Sequence, residues 1–115
     1  MADSLNILMV AAENDSLAGG KVGGVGDVVR DVPYALADLP EYQGAVSVVC
    51  PSYGFLHENP KASLGTVQFS FGREQLAAEL YEIEGKRPHV GVRQLVLHHS
   101  AFETIESTSG RQLIY

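Results

Sequence analysis

The chain has 115 residues, of which 45% are hydrophobic and 19% charged, and its formal net charge is −6. These values are typical of one folded domain, or part of one, and they exclude a disordered or membrane-spanning chain. The acidic balance, with a pI of about 5.0, provides no basic surface to attract nucleic acid. A single cysteine, Cys50, excludes an internal disulfide, and its place at the end of an apolar run predicts a buried structural thiol.

The first residues show no secretory signal. The first apolar run covers only residues 7–12, and no basic region precedes it. No run in the sequence approaches the length that spans a bilayer. We therefore expect a cytoplasmic protein with no membrane partner, or a plastid protein if the source is a plant and a transit sequence has been removed.

A glycine-rich loop follows the first predicted strand, residues 7–12, and leads into an amphipathic helix. Open α/β sheets hold ligands in this order of strand, loop and helix, with the helix amino terminus facing a phosphate or a hydroxyl. The glycines predict positive φ angles and close approach of a ligand to the backbone. Lys21 adds a mobile positive charge. Asp27 has two interpretations: it caps the helix or favours its dipole, or it accepts hydrogen bonds from sugar hydroxyls.

Two common phosphate motifs do not fit this loop. A Walker loop requires glycine where the chain has Asp15, and Ser or Thr where it has Val22. A dinucleotide fingerprint that starts at Gly24 requires a third glycine where the chain has Val29. The loop is therefore a ligand site of another kind, or only a tight turn between a strand and a helix.

The remaining elements follow from hydrophobic periodicity. The helix after the loop is expected to pack on the sheet through five apolar side chains and to bend near Pro33, which cannot donate a hydrogen bond to Val29. Residues 45–50 predict a strand buried on both faces, which makes the first half βαβ. Residues 67–71, 78–83 and 91–97 predict further strands, with a hairpin across the polar turn 84–88. The apolar helix positions are Val28, Val29, Val32, Leu36 and Leu39.

Two adjacent histidines, His98 and His99, follow the last of these strands. Neighbouring side chains on an extended strand point to opposite faces, so the pair cannot readily hold one metal ion. We expect one ring to be packed and the other to be solvated, and we predict no metal site. Tyr53, His57 and Glu58 lie in the loop after the second strand, and loop polarity alone explains them, so no catalytic role is assigned.

Several of these segments together resemble the amino-terminal signature of bacterial glycogen synthases and plant starch synthases. The run Lys21-Val22-Gly23-Gly24-Val25-Gly26-Asp27-Val28 resembles their Lys-x-Gly-Gly-Leu-x-Asp-Val pattern. Glu13 resembles the family's acidic residue at the end of the first strand, and residues 48–53 resemble a second strand that ends in Leu-Pro-x-Tyr. The loop before Lys21 is longer than in the family and lacks its proline. In residues 98–103, only Phe102 resembles the family's Asp-x-Pro-x-Phe pattern.

The resemblance implies an α/β fold class: a Rossmann-like open sheet forming part of the amino-terminal domain of a GT-B glycosyltransferase, with a hairpin-rich second half. Residues 1–115 would lack the carboxyl-terminal nucleotide-sugar domain. The implied activity is retaining transfer of glucose from ADP-glucose or UDP-glucose to the non-reducing end of an α-1,4-glucan, with no cofactor, because the nucleotide sugar is a substrate. The implied substrate-binding residues are Lys21, Gly23, Gly24 and Asp27, and no catalytic residue is assigned.

Two alternatives to a partial enzyme stay open at this point. One is a carbohydrate- or nucleotide-binding module that has the loop without the chemistry. The other is an α/β fragment whose glycines serve only the turn. If the chain is instead part of a synthase, it is expected to be inactive alone, because half of a two-domain site cannot enclose a substrate.

Overall fold

The computed structural model describes residues 5–42 and 44–103. In this part of the chain, five strands form one mixed sheet in the order β1-β2-β5-β4-β3, with one α-helix. The elements are β1 (Ile7–Val10), α1 (Gly24–Ala37), β2 (Val46–Pro51), β3 (Ala62–Phe71), β4 (Glu74–Ile83) and β5 (Val92–His98), followed by a single 3-10 turn (Ser100–Phe102). This mixed α/β sheet is compatible with part of a Rossmann-like domain.

The first part of the chain forms the predicted βαβ unit. β1 pairs in parallel with β2, with Ile7 opposite Val46. β2 pairs in parallel with β5, with Val46 opposite Val92. Because the three strands run in one direction, the loops that leave them at residues 11, 52 and 99 emerge at the same edge of the sheet, where open α/β sheets bind ligands.

The other part of the sheet is antiparallel. β4 pairs with β5 across the 84–88 turn, as the sequence predicts, with Tyr81 opposite Val96. β3 and β4 form a long ladder joined at Gly72, whose φ of 64° favours glycine. Both strands are ten residues long and therefore exceed the predicted segments 67–71 and 78–83.

The buried face of α1 differs from the predicted one. Val28 and Val32 are 56% and 38% exposed, whereas Val29, Pro33 and Tyr34 are buried. Tyr34 occupies the core because its hydroxyl donates to the carbonyl of Arg87 at 2.6 Å and accepts from Gln94, which satisfies its polar end. The predicted apolar face was therefore wrong at Val28 and Val32, and also at Leu39, which lies beyond the end of the helix and is 42% exposed. Pro33 lies inside the helix, and the bend expected there stays a prediction.

The core beneath the carboxyl edge combines residues from both parts of the chain: Leu17, Cys50, Tyr53, Leu56 and Val96. Cys50 is 2% exposed, and burial raises the pKa of its thiol to about 12, so the predicted structural thiol is confirmed. Among the described residues, no helix is long and apolar enough to cross a membrane.

Candidate functional site

The centre of the glycine-rich loop is a buried carboxylate, Glu13, which is 1% exposed. Its Oε1 accepts hydrogen bonds from the backbone amides of Gly26 at 2.6 Å and Gly23 at 3.0 Å, and its Oε2 accepts one from Val22 at 3.3 Å. Gly23 and Gly26 are the cap and third residues of α1, so Glu13 satisfies donors that a helix otherwise leaves unpaired. Glu13 therefore caps the amino terminus of α1 from the loop after β1, a role that a side chain at the N-cap position usually has.

Most of the loop glycines do not have the positive φ angles that the sequence predicts, and Gly26 is needed because a side chain there would have no room. Of the five glycines that the sequence places here, only Gly19 has a positive φ, at 80°. A Cβ on Gly26 would lie 3.1 Å from Glu13 Oε1 and 3.2 Å from Lys21 Cγ, so a larger residue would push against both side chains. At Gly24 a Cβ would meet nothing within 4 Å. Gly26 is thus required by the carboxylate beneath it, while Gly24 faces open space.

Lys21 and Asp27, both expected to face a ligand, lie together in the structure. Lys21 Nζ donates to Asp27 Oδ1 at 2.7 Å, and both side chains are 40% exposed. The hydrogen bond to Asp27 raises the pKa of Lys21, which keeps the ammonium charged. The Lys21 ammonium therefore lies beside Asp27 in the first turn of α1.

Gly23 and Gly24, the other two predicted binding residues, differ in what they offer a ligand. The amide of Gly23 is engaged by Glu13, so in this structure it supports the loop and is not available to a phosphate. Gly24 is exposed at the first turn of the helix. Of the four predicted residues, Lys21 and Gly24 therefore present a charge and an open backbone, and Asp27 holds the lysine.

An ion-pair network continues from Asp27 along the helix. Arg30 Nη1 lies 3.4 Å from Asp27 Oδ1 and pairs with Asp15, whose other oxygen accepts from Lys86 Nζ at 3.0 Å. Lys86 and Arg30 lower the pKa of Asp15. Arg30 thus ties the helix to the loop that contains Asp15.

His57, in the loop after β2, and His98, the last residue of β5, meet at the same edge of the sheet. Ser52 Oγ and His57 Nδ1 share a hydrogen bond of 2.5 Å, and the His57 ring stacks on His98 with centroids 3.9 Å apart. Burial, and then the nearby His98, lower the pKa of His57. Sequence reasoning missed this pair, because a 41-residue separation leaves no local signal that the two rings meet.

His98 and His99 do face different surroundings, but not one packed and one wet. His98 stacks on His57, while His99 lies at ring-centroid distances of 6.3 Å from Phe69 and 6.1 Å from Phe102. Both histidines are half-buried, so the expected solvated ring is absent from this pair. His99 Nδ1 accepts from the amide of Ala101 and caps the 3-10 turn.

A hydrogen bond from Tyr53 ties the loop after β2 to the loop after β1. Tyr53 has a φ of 55°, which is uncommon for a residue with a side chain. Its hydroxyl donates to the carbonyl of Ala12 at 2.6 Å, directly before Glu13. Tyr53 therefore positions the backbone from which the Glu13 carboxylate reaches the helix.

Two cavities lie beside the network and not at the lysine. One, of about 240 Å³, includes Tyr34, His89 and Gln94, and the other, of about 200 Å³, includes Ser16, Arg30 and Lys86. Lys21 and Gly24 line neither of them. The Lys21 side chain is 40% exposed, so the described residues leave it open to solvent.

Taken together, fold and site define an α/β domain segment with a lysine-headed glycine loop at the carboxyl edge of parallel strands. Residues 6–115 match the family described as the starch synthase catalytic domain. A curated glycogen synthase from Gloeobacter violaceus is 35% identical over 98 residues, which are 85% of this chain and 19% of that protein.

The chain therefore belongs to the starch synthase catalytic-domain family. It spans about a fifth of the length of the curated relative. The resemblance carried by the loop at Lys21 and by Glu13 is confirmed at the level of the family, whereas the roles of individual residues stay predictions.

Proposed function

We propose that this chain provides part of the donor site of a GT-B glucosyltransferase. In the complete enzyme, glucose would move from ADP-glucose or UDP-glucose to the non-reducing end of an α-1,4-glucan. Family membership supports a glycosyltransferase in general, and the observation that carries the assignment of the site is the Lys21 ammonium, held by Asp27 at 2.7 Å above the helix amino terminus.

In the proposed reaction, the bond between the anomeric carbon and the donor diphosphate breaks, and a bond to the acceptor hydroxyl forms with retention of configuration. The proton of the acceptor hydroxyl passes to solvent, and the nucleoside diphosphate leaves with one additional negative charge. Lys21 would offset that charge by turning from Asp27 toward the diphosphate, with the open amide end of α1 at Gly24 beside it. No catalytic acid or base is assigned to the described residues.

Glu13 has a positioning role in this proposal. Its carboxylate engages the Gly23 and Gly26 amides, and so it fixes the loop that presents Lys21. A donor phosphate would not displace it, because Glu13 is buried beneath the loop and the phosphate would approach from the open side. The predicted donor contact of Gly23 stays a prediction, and because the Gly23 amide donates to Glu13, our proposal assigns the donor contact to Lys21 and Gly24.

The test uses a complete enzyme. In the Gloeobacter violaceus glycogen synthase, the matched segment is replaced by the corresponding residues of this chain, and glucosyl transfer to glycogen is measured with each donor. Lys21→Ala is expected to lower the transfer rate about a hundredfold, the scale of losing one preorganised electrostatic contact. The melting temperature should change little, since Lys21 is 40% exposed.

The matched control is Lys61→Ala. Lys61 is an exposed lysine directly before β3 that pairs with Glu82 at 3.6 Å, so the substitution removes the same charge far from the loop. Transfer by this variant should equal that of the unsubstituted chimera. Equal transfer by Lys21→Ala and Lys61→Ala would contradict the assignment of the lysine.

The isolated chain tests the binding-module alternative. Because the surface around Lys21 is open, we expect no transfer by residues 1–115 alone. Glucan elongation by the purified chain would contradict the proposal that more of the enzyme is needed. Binding of ADP-glucose without turnover, with chemical shift changes centred on Lys21, would favour a binding module for the chain as it stands.

A further inference from the structure

The cavity of about 200 Å³ beside α1 collects a large share of the positive charge of the chain. Arg30 from the helix and two residues of the turn before β5, Lys86 and Arg87, all line it. The whole chain has eight lysines and arginines and a net charge of −6, so three cations at one cavity oppose the overall charge. Two carboxylates, Asp15 and Asp31, line the cavity as well. Three positive charges against two negative ones leave the lining at +1.

A buried hydroxyl lies in the wall of the same cavity. Ser16 is 2% exposed, and its Oγ has no hydrogen-bond partner among the described residues. The backbone of Ser16 is fixed, because its amide donates to Asn14 Oδ1 at 2.9 Å and its carbonyl accepts from the Lys86 amide at 2.8 Å. Buried polar groups without a partner are uncommon in folded proteins, and a ligand oxygen is one group that satisfies them.

The two cations of the turn keep donors that the described residues do not use. The Arg87 guanidinium lies over the Tyr34 ring, with Cζ 4.7 Å from the ring centroid, and donates to no carboxylate in the described part of the chain. Lys86 donates to Asp15 at 3.0 Å and so uses one of the three donors of its ammonium. An arginine fork beside a lysine point charge suits an anion with several oxygens.

The carboxylates at the cavity are engaged by the other cations. One oxygen of Asp15 pairs with Arg30 and the other accepts from Lys86. Both oxygens of Asp31 accept from Arg30, at 2.7 and 3.0 Å. Among the described residues, Arg87 is therefore the cavity cation without an ion pair. The Asp31 side chain is 66% exposed, so it can turn to solvent when another anion approaches Arg30.

We infer that this cavity binds a phosphate group, with Ser16, Lys86 and Arg87 as its donors. A phosphate presents three acceptor oxygens that face different directions, and these donors come from a buried loop and an exposed turn. A neutral sugar would leave the charge of Arg87 uncompensated, and a carboxylate has two oxygens for three donor groups. Inorganic phosphate and phosphate monoesters present the same oxygens, so these donors would hold either one.

Titration of the isotopically labelled chain by NMR tests the site. Inorganic phosphate, glucose 1-phosphate and acetate are added separately at constant ionic strength, at about pH 8, above the second pKa of a phosphate ester of about 6. Both phosphates should give saturable shifts of the amides of Ser16, Lys86 and Arg87, and acetate should bind at least about tenfold more weakly. The tighter of the two phosphates identifies the source of the group. An absence of saturable shifts, or equal binding of acetate, would overturn the inference.

The position of the shifts separates this site from the proposed donor site. Lys21 and Gly24 do not line the cavity, so the inference does not depend on the proposed glucosyl transfer. Lys21→Ala should leave the affinity of the cavity for phosphate unchanged. Phosphate-induced shifts confined to Lys21 and Gly24 would place the anion at the glycine loop, which would overturn the inference and support the donor site.

Two substitutions test the donors themselves. Ser16→Ala and Arg87→Gln should each weaken phosphate binding at least about tenfold, the scale of one charge-assisted hydrogen bond. Ser16→Ala should not lower the melting temperature in phosphate-free buffer, because its Oγ has no partner to lose among the described residues. This separates loss of a ligand contact from loss of structure.

The matched control is Arg73→Gln, at an exposed arginine in the turn between β3 and β4 that does not line the cavity. Its affinity for phosphate should equal that of the unsubstituted chain. Unchanged affinity in Ser16→Ala and Arg87→Gln would overturn the inference, as would an equal loss in Arg73→Gln. If Arg87→Gln does not fold, the comparison of Ser16→Ala with Arg73→Gln decides alone.

Discussion

The parallel and antiparallel parts of the sheet are stabilised by different means. The loops that leave β1 and β2 bury polar groups: Glu13, Asn14, Ser16 and Ser52 are each at most 2% exposed. The antiparallel strands instead rely on backbone pairing and on ion pairs such as that of Arg93 in β5 with Glu82 in β4 at 2.9 Å. Burying polar groups is costly unless each finds a partner, so it is found where irregular backbone must be fixed in one conformation. This contrast locates the candidate site in the parallel part.

The largest effect is expected at Glu13. Glu13→Ala removes the acceptor for the Gly23 and Gly26 amides and should lower the free energy of unfolding by about 3 kcal/mol. Chemical denaturation measures the change. The matched control is Glu74→Ala, an exposed carboxylate at the start of β4, with an expected change below about 0.5 kcal/mol. Similar losses of unfolding free energy in the two variants would contradict the claim that buried polar groups stabilise the parallel part of the sheet.

A pair of glycine substitutions sharpens the contrast within the loop. Gly26→Ala should destabilise the protein by about 1 to 2 kcal/mol, because its Cβ would press on Glu13 Oε1 at 3.1 Å. Gly24→Ala meets open space and should stabilise by about 0.5 kcal/mol through the unfolded chain. Thermal melting of both variants is the measurement. Opposite signs are expected, and a shared sign would show that the carboxylate does not set the requirement for glycine.

The stacked histidines predict a pH dependence. Burial and His98 lower the pKa of His57, so the unfolded state takes up the proton more readily than the folded state. This contribution to stability is therefore complete above the ordinary histidine pKa of about 6.5 and is lost as the pH falls toward the lowered value. Denaturation between pH 8 and pH 5 should show the decline, and His57→Gln should flatten it. An unchanged slope in that variant would assign the pH dependence to other groups.

The smallest effect is expected in the antiparallel part. Arg93 and Glu82 form an ion pair in which Arg93 is 46% exposed, and Arg93 lowers the pKa of Glu82. Exposed pairs of this kind contribute little, so Arg93→Gln should cost less than about 1 kcal/mol. Equilibrium unfolding in low and high salt checks the value. A loss as large as that of Glu13→Ala would mean that the two parts of the sheet are stabilised alike.

Much of the fold could be predicted from the sequence, because local pattern determines it. The apolar runs at β1 and β2, the helix between them and the turn before β5 all carry signals within a few residues. The buried face of α1 was mispredicted since hydrophobicity alone favours Val28 over Tyr34. Tyr34 is buried because its hydroxyl donates to the carbonyl of Arg87, a partner 53 residues away that no local pattern reveals.

The sequence indicated which residues form the candidate site, but it did not indicate which of them bond to each other. Lys21 and Asp27 were expected to face a ligand, and they form an ion pair with each other. Glu13 was noted for its resemblance to the family's acidic residue, yet its bonds to Gly23 and Gly26 depend on how the loop closes. A carboxylate directly after a buried strand and before a glycine loop is the signal that points to such a role.

The amide protons of Gly23, Gly24 and Gly26 provide the most direct test that Glu13 builds the loop. They lie in one turn of the same helix, and the first and last donate to Glu13. Their exchange rates are measured by NMR in the unsubstituted chain, which needs no variant. Slow exchange at Gly23 and Gly26 with fast exchange at Gly24 is the expected result. Equally fast exchange at all three would contradict the role of the buried carboxylate.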